Sequence, residues 1–374
     1  MRIYLDYNAS TPVAPEVAAA MEPFLRAHYG NPSSLHWAGV PAKEALTRAR
    51  GQVAHLLGCM PDEVVFTSGG SEANNHAIKG VWFARGGPGC HIITSAVEHP
   101  AVDKPCRFLE RLGARLTVLP VDGTGLVDPD AVRRAITPQT ILITVMHANN
   151  EVGTIEPVAE IAAVAREHGI VCHTDAAQTV GKIPARVDEL GVDLLSVAGH
   201  KLYAPKGVGA LYIRAGTKVE PLVHGAGHEG GRRAGTENVL LAVALGAACD
   251  LAHEWIGMAF ARELRDYLWA RLQDLYGDRA VLNGHPSRRL PNTLNVGFVG
   301  QSGSDLLAVI PELAASTGSA CHAGMVELSP VLQAMGVPEQ VGMGAVRFSL
   351  GRATTKDEID RVVDLLRPFS RGVA

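Results

Sequence analysis

Four short stretches of the chain set reactive side chains among small residues that let a ligand approach. In TSGGSEANN, two glycines and Ser71 stand between the apolar run VVFT and a helical pattern. Free N–H groups and the dipole at a helix start suit a phosphate, and a plain turn with Ser71 as N-cap fits as well. In HTDAAQT, Asp175 ends an otherwise apolar run. A carboxylate there needs a cation, which a protonated ring nitrogen would supply, unless Asp175 only caps the next helix. In SVAGHKLYAPKG, Lys201 directly follows an apolar run. In low-dielectric surroundings a lysine has a lowered pKa and forms Schiff bases; a lysine in water just past a strand end does neither. In ELAASTGSACHAGMVELSP, Cys321 lies among Ser, Gly and Ala with His322 beside it. A thiol in such a flexible loop is exposed and reactive, whereas most free cysteines are small buried hydrophobes.

These residues need a frame. The runs VVFT, HIITS, RLTVLPV, TILITVMH, GIVCHTD, DLLSVAG and GALYIR are apolar and mostly continuous. That pattern predicts strands buried on both faces of a mainly parallel sheet. Helical segments such as SEANNHAIKGVWFA, DPDAVRRAI and VAEIAAVAREHG lie between them, so the expected class is α/β with helices sandwiching the sheet. In open sheets of this kind function gathers at the carboxyl ends of strands, where the four reactive stretches fall. After Arg214 a Gly-rich loop, HGAGHEGGRRAGTEN, leads into one long helical pattern running to about Tyr276. TLNVGFVG, VRFSLG and a final helix from Lys356 then suggest a smaller α+β domain. The expected division is 15–255 for the large domain, and 1–14 with 256–374 for the small one carrying the Cys321 loop.

Composition removes several function classes. Thirty-four basic residues against 38 acidic ones leave a net charge of −4, so no basic field favours nucleic acid. With 47% hydrophobic and 19% charged residues the chain affords a core, which excludes disorder as a class. The six cysteines form no C-x-x-C pair, which argues against a zinc ribbon, a thioredoxin motif or a disulfide scaffold and for a reducing cytoplasm. MRIYLDYNAS has no apolar signal region, and VLLAVALGAACDLA falls short of the roughly 20 residues of a membrane span. Gly225, Gly227 and Gly230 match G-x-G-x-x-G with Asp250 at a suitable distance, but a poor preceding strand and a helical setting for Asp250 reject a dinucleotide site. His147, His173 and His200 each end a strand candidate without metal-ligand spacing, so structural or cofactor contacts are expected and no metal.

A phosphate cradle, an acid for a ring nitrogen and a Schiff-base lysine at strand ends of one domain point jointly to pyridoxal 5'-phosphate. With YLDYNASTP, TSGGSEANN, EHPAV, HANNEVG, HTDAAQ, GHKLYAPKGVGALY, RAGTEN, STGSAC and VRFSLGRATTKDEID in this order, the chain resembles the NifS/IscS-like cysteine desulfurases. These are fold-type I pyridoxal enzymes of the class-V aminotransferase group, and the resemblance spans nearly the whole chain.

The resemblance implies that Lys201 binds the cofactor covalently, Asp175 pairs with its ring nitrogen, and His99 stacks on the ring and shuttles protons. It implies that Asn150 and Gln178 bond the phenolic oxygen, that Gly70, Ser71 and His200 hold the phosphate, and that Thr236 reaches the phosphate of a neighbouring subunit in a homodimer. Asn31 and Arg347 would clamp the substrate carboxylate, and Cys321 would be the nucleophile. The implied reaction converts L-cysteine to L-alanine and leaves sulfur on Cys321 as a persulfide. An acceptor such as an iron–sulfur scaffold would take it on, for iron–sulfur cluster, cofactor or RNA biosynthesis. Three features depart from the pattern: Ala198 replaces a common serine, Gly230 a common arginine, and HAGMVELSP has some likeness to selenocysteine lyases. The alternatives are therefore a selenocysteine lyase, an aminotransferase or β-lyase, and a catalytically silent sulfur-relay subunit.

Overall fold

The computed structural model describes residues 2–317, 319–322 and 325–370, with side chains at 319–326 outside the description. The seven apolar runs form one sheet. Its spatial order is Val64–Thr67, Gly209–Ile213, Leu194–Ala198, Val171–Asp175, Thr140–Thr144, His91–Ser95, Arg115–Leu119. The last five are mutually parallel, and Gly209–Ile213 runs antiparallel to both its neighbours.

The continuous apolar pattern follows from two covered faces. Successive residues point to opposite sides of a strand. Leu142, Leu194 and Leu211 meet the helices Gly70–Arg85 and Pro100–Arg111. Ile143, Leu195 and Tyr212 meet Val40–Leu57, Val158–Glu167 and Val239–Ala252. The edge strand Arg115–Leu119 is less covered, with Arg115 exposed, Leu116, Thr117 and Val118 half-buried and Leu119 buried.

A second core lies around a four-stranded antiparallel sheet of order Ser316–Thr317, Ala345–Ser349, Thr293–Phe298, Ala280–Asn283. The helices Ala259–Tyr276 and Lys356–Leu366 cover it through Leu268, Leu272 and Val362 against Val296 and Phe348. The chain start joins this core: Ile3–Tyr4 pairs in parallel with Leu313–Ala314, and Ile3 and Leu5 are buried in it.

Two expectations change. The long helical pattern to Tyr276 is two helices, Val239–Ala252 and Ala259–Tyr276. Gly257 (φ 90°) and Met258 (φ 41°) break it by turning left-handed, and the Gly257 N–H donates to the Lys182 carbonyl. The Cys321 segment is also more regular than a loop: Ser319–His322 pairs antiparallel with Met325–Leu328, Cys321 opposite Val326.

Candidate active site

The carboxyl ends of the central strands open onto one cavity of about 590 Å³. Lys201, Asp175, His99, Asn150, Gln178 and Arg347 line it, and so do Gly70, Ser71, His200 and Ala198.

Lys201 ends the turn Gly199–Lys201 that follows the strand Leu194–Ala198. Its Nζ donates to the carbonyls of Asn8 (2.5 Å) and Ala9 (2.9 Å). Burial and then the Arg347 charge push its pKa down to about 8, while Asp175 and Asp6 pull the other way. That places a usable fraction of free amine near neutrality.

Asp175 is the last residue of its strand and is buried. Oδ2 accepts from Asn74 Nδ2 (2.7 Å) and Oδ1 from the Ala177 N–H (2.9 Å). Neither partner is a cation, and among the described residues no cation pairs with the carboxylate. Asn74 Oδ1 is buried at the same wall without a hydrogen-bond partner among the described residues.

His99 is the N-cap of the helix Pro100–Arg111, its Nδ1 accepting from the Ala101 N–H at 3.0 Å. That bond fixes a neutral ring with its proton on Nε2. Burial holds its pKa below the usual value, with Asp175 raising it and Lys201 lowering it.

At the other end of the cavity the helix Gly70–Arg85 begins. The first N–H groups of a helix lack intrahelical partners and favour an anion. Glu72 in this turn would oppose one, but Arg233 (2.9 Å) and the Ser68 N–H (2.9 Å) engage its carboxylate. His200 is pushed down to about 4 by burial and then by Lys201 and Lys206, which keeps it neutral.

Arg347 stands in the strand Ala345–Ser349, nearly buried. Nη2 donates to Asp6 Oδ1 (2.7 Å) and Ser316 Oγ (2.8 Å), Nη1 to the Asn150 carbonyl (2.9 Å). Its Nε is buried without a partner among the described residues.

Three candidates stand apart. Thr236 lines a separate cavity of about 240 Å³ with Ser68, Glu229 and Arg233. Asn31 is exposed, its Oδ1 accepting from the Ser33 N–H (2.9 Å). The Cys321 side chain lies outside the described residues. The remaining cysteines are free, with Cys106, Cys172 and Cys249 buried and their thiols pushed upward by burial. Of the strand-end histidines, His147 bonds Thr179 Oγ1 (2.9 Å) and His173 bonds Thr144 Oγ1 (2.7 Å) and Ser196 Oγ (3.0 Å), which are structural roles.

Sequence reasoning passed over Asn8, the hub of the site. Its carbonyl accepts from Lys201 and from Gln178 Nε2 (3.0 Å). Its Nδ2 donates to Thr293 Oγ1 (2.8 Å) and the Asn150 carbonyl (3.2 Å), and its Oδ1 accepts from Asn292 Nδ2 (3.1 Å) and Lys182 Nζ (3.3 Å). The YLDYNASTP motif was the available signal. Asn74 was also missed, since a polar residue on a helix reads as surface.

Comparison with known proteins identifies the family of the chain. The family model described as aminotransferase class-V matches residues 3–362. The chain is 50% identical over 368 residues to cysteine desulfurase IscS of Dictyoglomus turgidum, covering 97% of this chain and 93% of the relative. A solved NifS-like protein matches with a TM-score of 0.92 at 36% identity, over 99% of each chain. A solved SspA in complex with cysteine matches with a TM-score of 0.82 at 39% identity, over 94% of this chain and 99% of that one. The fold is thus shared along almost the full length, and the chain belongs to the class-V aminotransferase family, in its NifS/IscS-like branch.

Proposed function

We propose that the protein is a pyridoxal 5'-phosphate-dependent cysteine desulfurase, converting L-cysteine to L-alanine with transfer of sulfur to Cys321. The observation that carries this reading is the convergence of Lys201, Asp175 and His99 with Arg347 on one cavity. The donor set suits the cofactor. A depressed lysine amine, an unpaired buried carboxylate beside the orphaned Asn74 Oδ1, and a helix N-terminus are what an aldehyde, a pyridine nitrogen and a phosphate require.

Lys201 would hold the cofactor, Asp175 its ring nitrogen, Asn150 and Gln178 its phenolic oxygen, and Gly70, Ser71 and His200 its phosphate. When bound, pyridoxal 5'-phosphate supplies an electron sink for charge developing at the substrate's Cα. Arg347 grips the substrate carboxylate through its guanidinium, with Asn31 as second partner. Lys201 takes the Cα proton. The Cys321 thiolate attacks the substrate sulfur: an S–S bond forms, the substrate C–S bond breaks with its electron pair left on carbon, that carbon takes a proton, and Lys201 returns a proton to Cα, giving L-alanine. His99, neutral with the proton on Nε2, would exchange protons with the thiol.

The residues away from the cavity support a homodimer. Tyr29, Leu35 and Trp37 are 77%, 87% and 80% exposed close to Asn31, an apolar surface suited to a second copy. Thr236 would then act on the neighbour's phosphate. Residues 15–255 and 1–14 with 256–374 form the two proposed domains, supported by two separate cores and the helix break before Ala259. No helix among the described residues is long and apolar enough to cross a membrane, and we place the protein in the cytoplasm, with an iron–sulfur scaffold as one class of acceptor.

The test compares sulfide and alanine release from L-cysteine, and selenide release from L-selenocysteine, for wild type and Cys321→Ala. Cysteine turnover that disappears in the variant supports the desulfurase. Turnover of selenocysteine alone, undiminished in the variant, would make the protein a selenocysteine lyase.

A further inference from the structure

Lys182 is a buried lysine that neither the sequence motifs nor the proposed reaction uses. It is 5% exposed and does not line the cavity. No carboxylate pairs with it among the described residues, and the charged groups that bear on it, Lys201 and Arg347, are cationic like itself. Among the described residues its Nζ has two acceptors, Gln178 Oε1 at 2.8 Å and Asn8 Oδ1 at 3.3 Å. A neutral amine has two N–H groups and satisfies both acceptors; an ammonium would keep a third N–H without a partner in a buried place. Burial correspondingly drives its pKa well below the usual lysine range.

The bonds also fix the orientation of Gln178. The Asn8 carbonyl only accepts, so the atom of the carboxamide that meets it at 3.0 Å is Nε2. Oε1 is thereby turned toward Lys182, which donates. One hydrogen of Nε2 is spent on Asn8, and the second is the only donor the carboxamide keeps for the cavity that Gln178 lines.

We propose that Lys182 is a positioning residue for the cofactor: its amine holds the Gln178 oxygen inward so that the amide N–H is presented to the cofactor's phenolic oxygen. This rests on the reading that the cavity holds pyridoxal 5'-phosphate. A donor on that oxygen stabilises its negative charge and weakens its hold on the proton it shares with the Lys201 nitrogen. Without Lys182 the carboxamide loses the donor opposite its oxygen and turns freely, the phenolic oxygen loses its N–H, and the shared proton leaves at higher pH.

The experiment follows the visible absorption of the bound cofactor against pH in purified holoenzyme, without turnover, for wild type, Lys182→Met, Gln178→Ala and the double variant. Each single variant is expected to move the midpoint up by about one unit, the loss of one hydrogen bond to a charged group. The double variant should move it no further than Gln178→Ala, because the lysine acts through the glutamine. A wild-type midpoint in Lys182→Met, or shifts that add in the double variant, overturns the proposal. Lys182→Gln keeps an N–H donor and serves where the methionine variant does not fold; its midpoint should stay near wild type, and a full upward shift counts against the proposal. Wild-type protein that takes up no pyridoxal 5'-phosphate and shows no visible band overturns the cofactor reading and this inference with it. A band whose midpoint ignores Lys182 overturns the inference alone.

Discussion

Lys201 carries its low pKa on burial and on Arg347, neither of which needs the cofactor. The cofactor-free protein should therefore capture pyridoxal 5'-phosphate at a rate that rises with pH around a midpoint of about 8. A midpoint near that of an ordinary lysine would show that the amine is not held as described. Arg347→Ala removes the guanidinium that meets Asn150, Asp6 and Ser316. It should raise KM for L-cysteine by on the order of 10- to 100-fold, the scale of a lost hydrogen bond to a charged group. Initial rates over a cysteine series measure this, and an unchanged KM would place the carboxylate elsewhere. Lys201, Asp175 and Gly70–Ser71 were legible in the sequence because a polar residue ending an apolar strand is costly and so informative. Asn8 was not, because its main contacts with Lys201 and Gln178 run through a backbone carbonyl that every residue type possesses. Lys182 was not, because a lysine in GKIPAR reads as solvated until the fold buries it.

At the level of elements, the strand Gly209–Ile213 is pressed between its neighbours beside the turn that starts the helix Gly70–Arg85. A Cβ on Gly209 would lie 2.4 Å from the Val197 carbonyl oxygen and 2.8 Å from the Gly69 backbone. Gly209→Ala must push the Gly69–Gly70 turn or the Val197 strand aside. We expect a loss of about 1–3 kcal/mol in stability, together with cofactor loss on gel filtration; a variant that melts as wild type and keeps its colour would refute it. The sheet was readable because strands buried on both faces are apolar without alternation. The Cys321 strand was not, since Ser, Ala and Gly carry little β-branched or aromatic signal. The break before Ala259 was hidden because HEWIGM keeps the helical spacing of apolar residues while Gly257 and Met258 leave the helical region.

For the molecule as a whole, buried titratable groups oppose one another. Burial pushes His76 and His147 down to about 4, so between that pH and 6.5 the unfolded chain binds more protons and stability rises with pH. Glu98 and Glu156 are pushed up to about 8 by burial, so between 4.5 and that pH the folded chain binds more protons and stability falls as pH rises. Above about 6.5 the histidines no longer contribute, and Lys182, neutral when folded and protonated when unfolded, offsets only one of the two carboxylates, so a fall persists until Lys201 titrates near 8. The melting temperature of the cofactor-free protein should decline between pH 6.5 and 8. Glu98→Gln, which keeps an oxygen for Ser95 and the Met146 N–H, should reduce that decline by about 1.4 kcal/mol per pH unit. An equal decline in the variant would mean that Glu98 is ionised in the native state. The anchoring of the chain start has a consequence for biosynthesis. Asn8 leaves the ribosome before all its partners, yet its bonds run to Gln178, Lys201, Asn292, Thr293 and Ser349. A nascent chain can assemble the large sheet from residues 64–213 long before these later partners are translated. The first strand must wait, unpaired, for Leu313–Ala314 to emerge. Capture of the cofactor in its final geometry therefore belongs to the last moments of synthesis or to the released polypeptide, and fragments truncated before Ser349 should accumulate as folded but colourless protein.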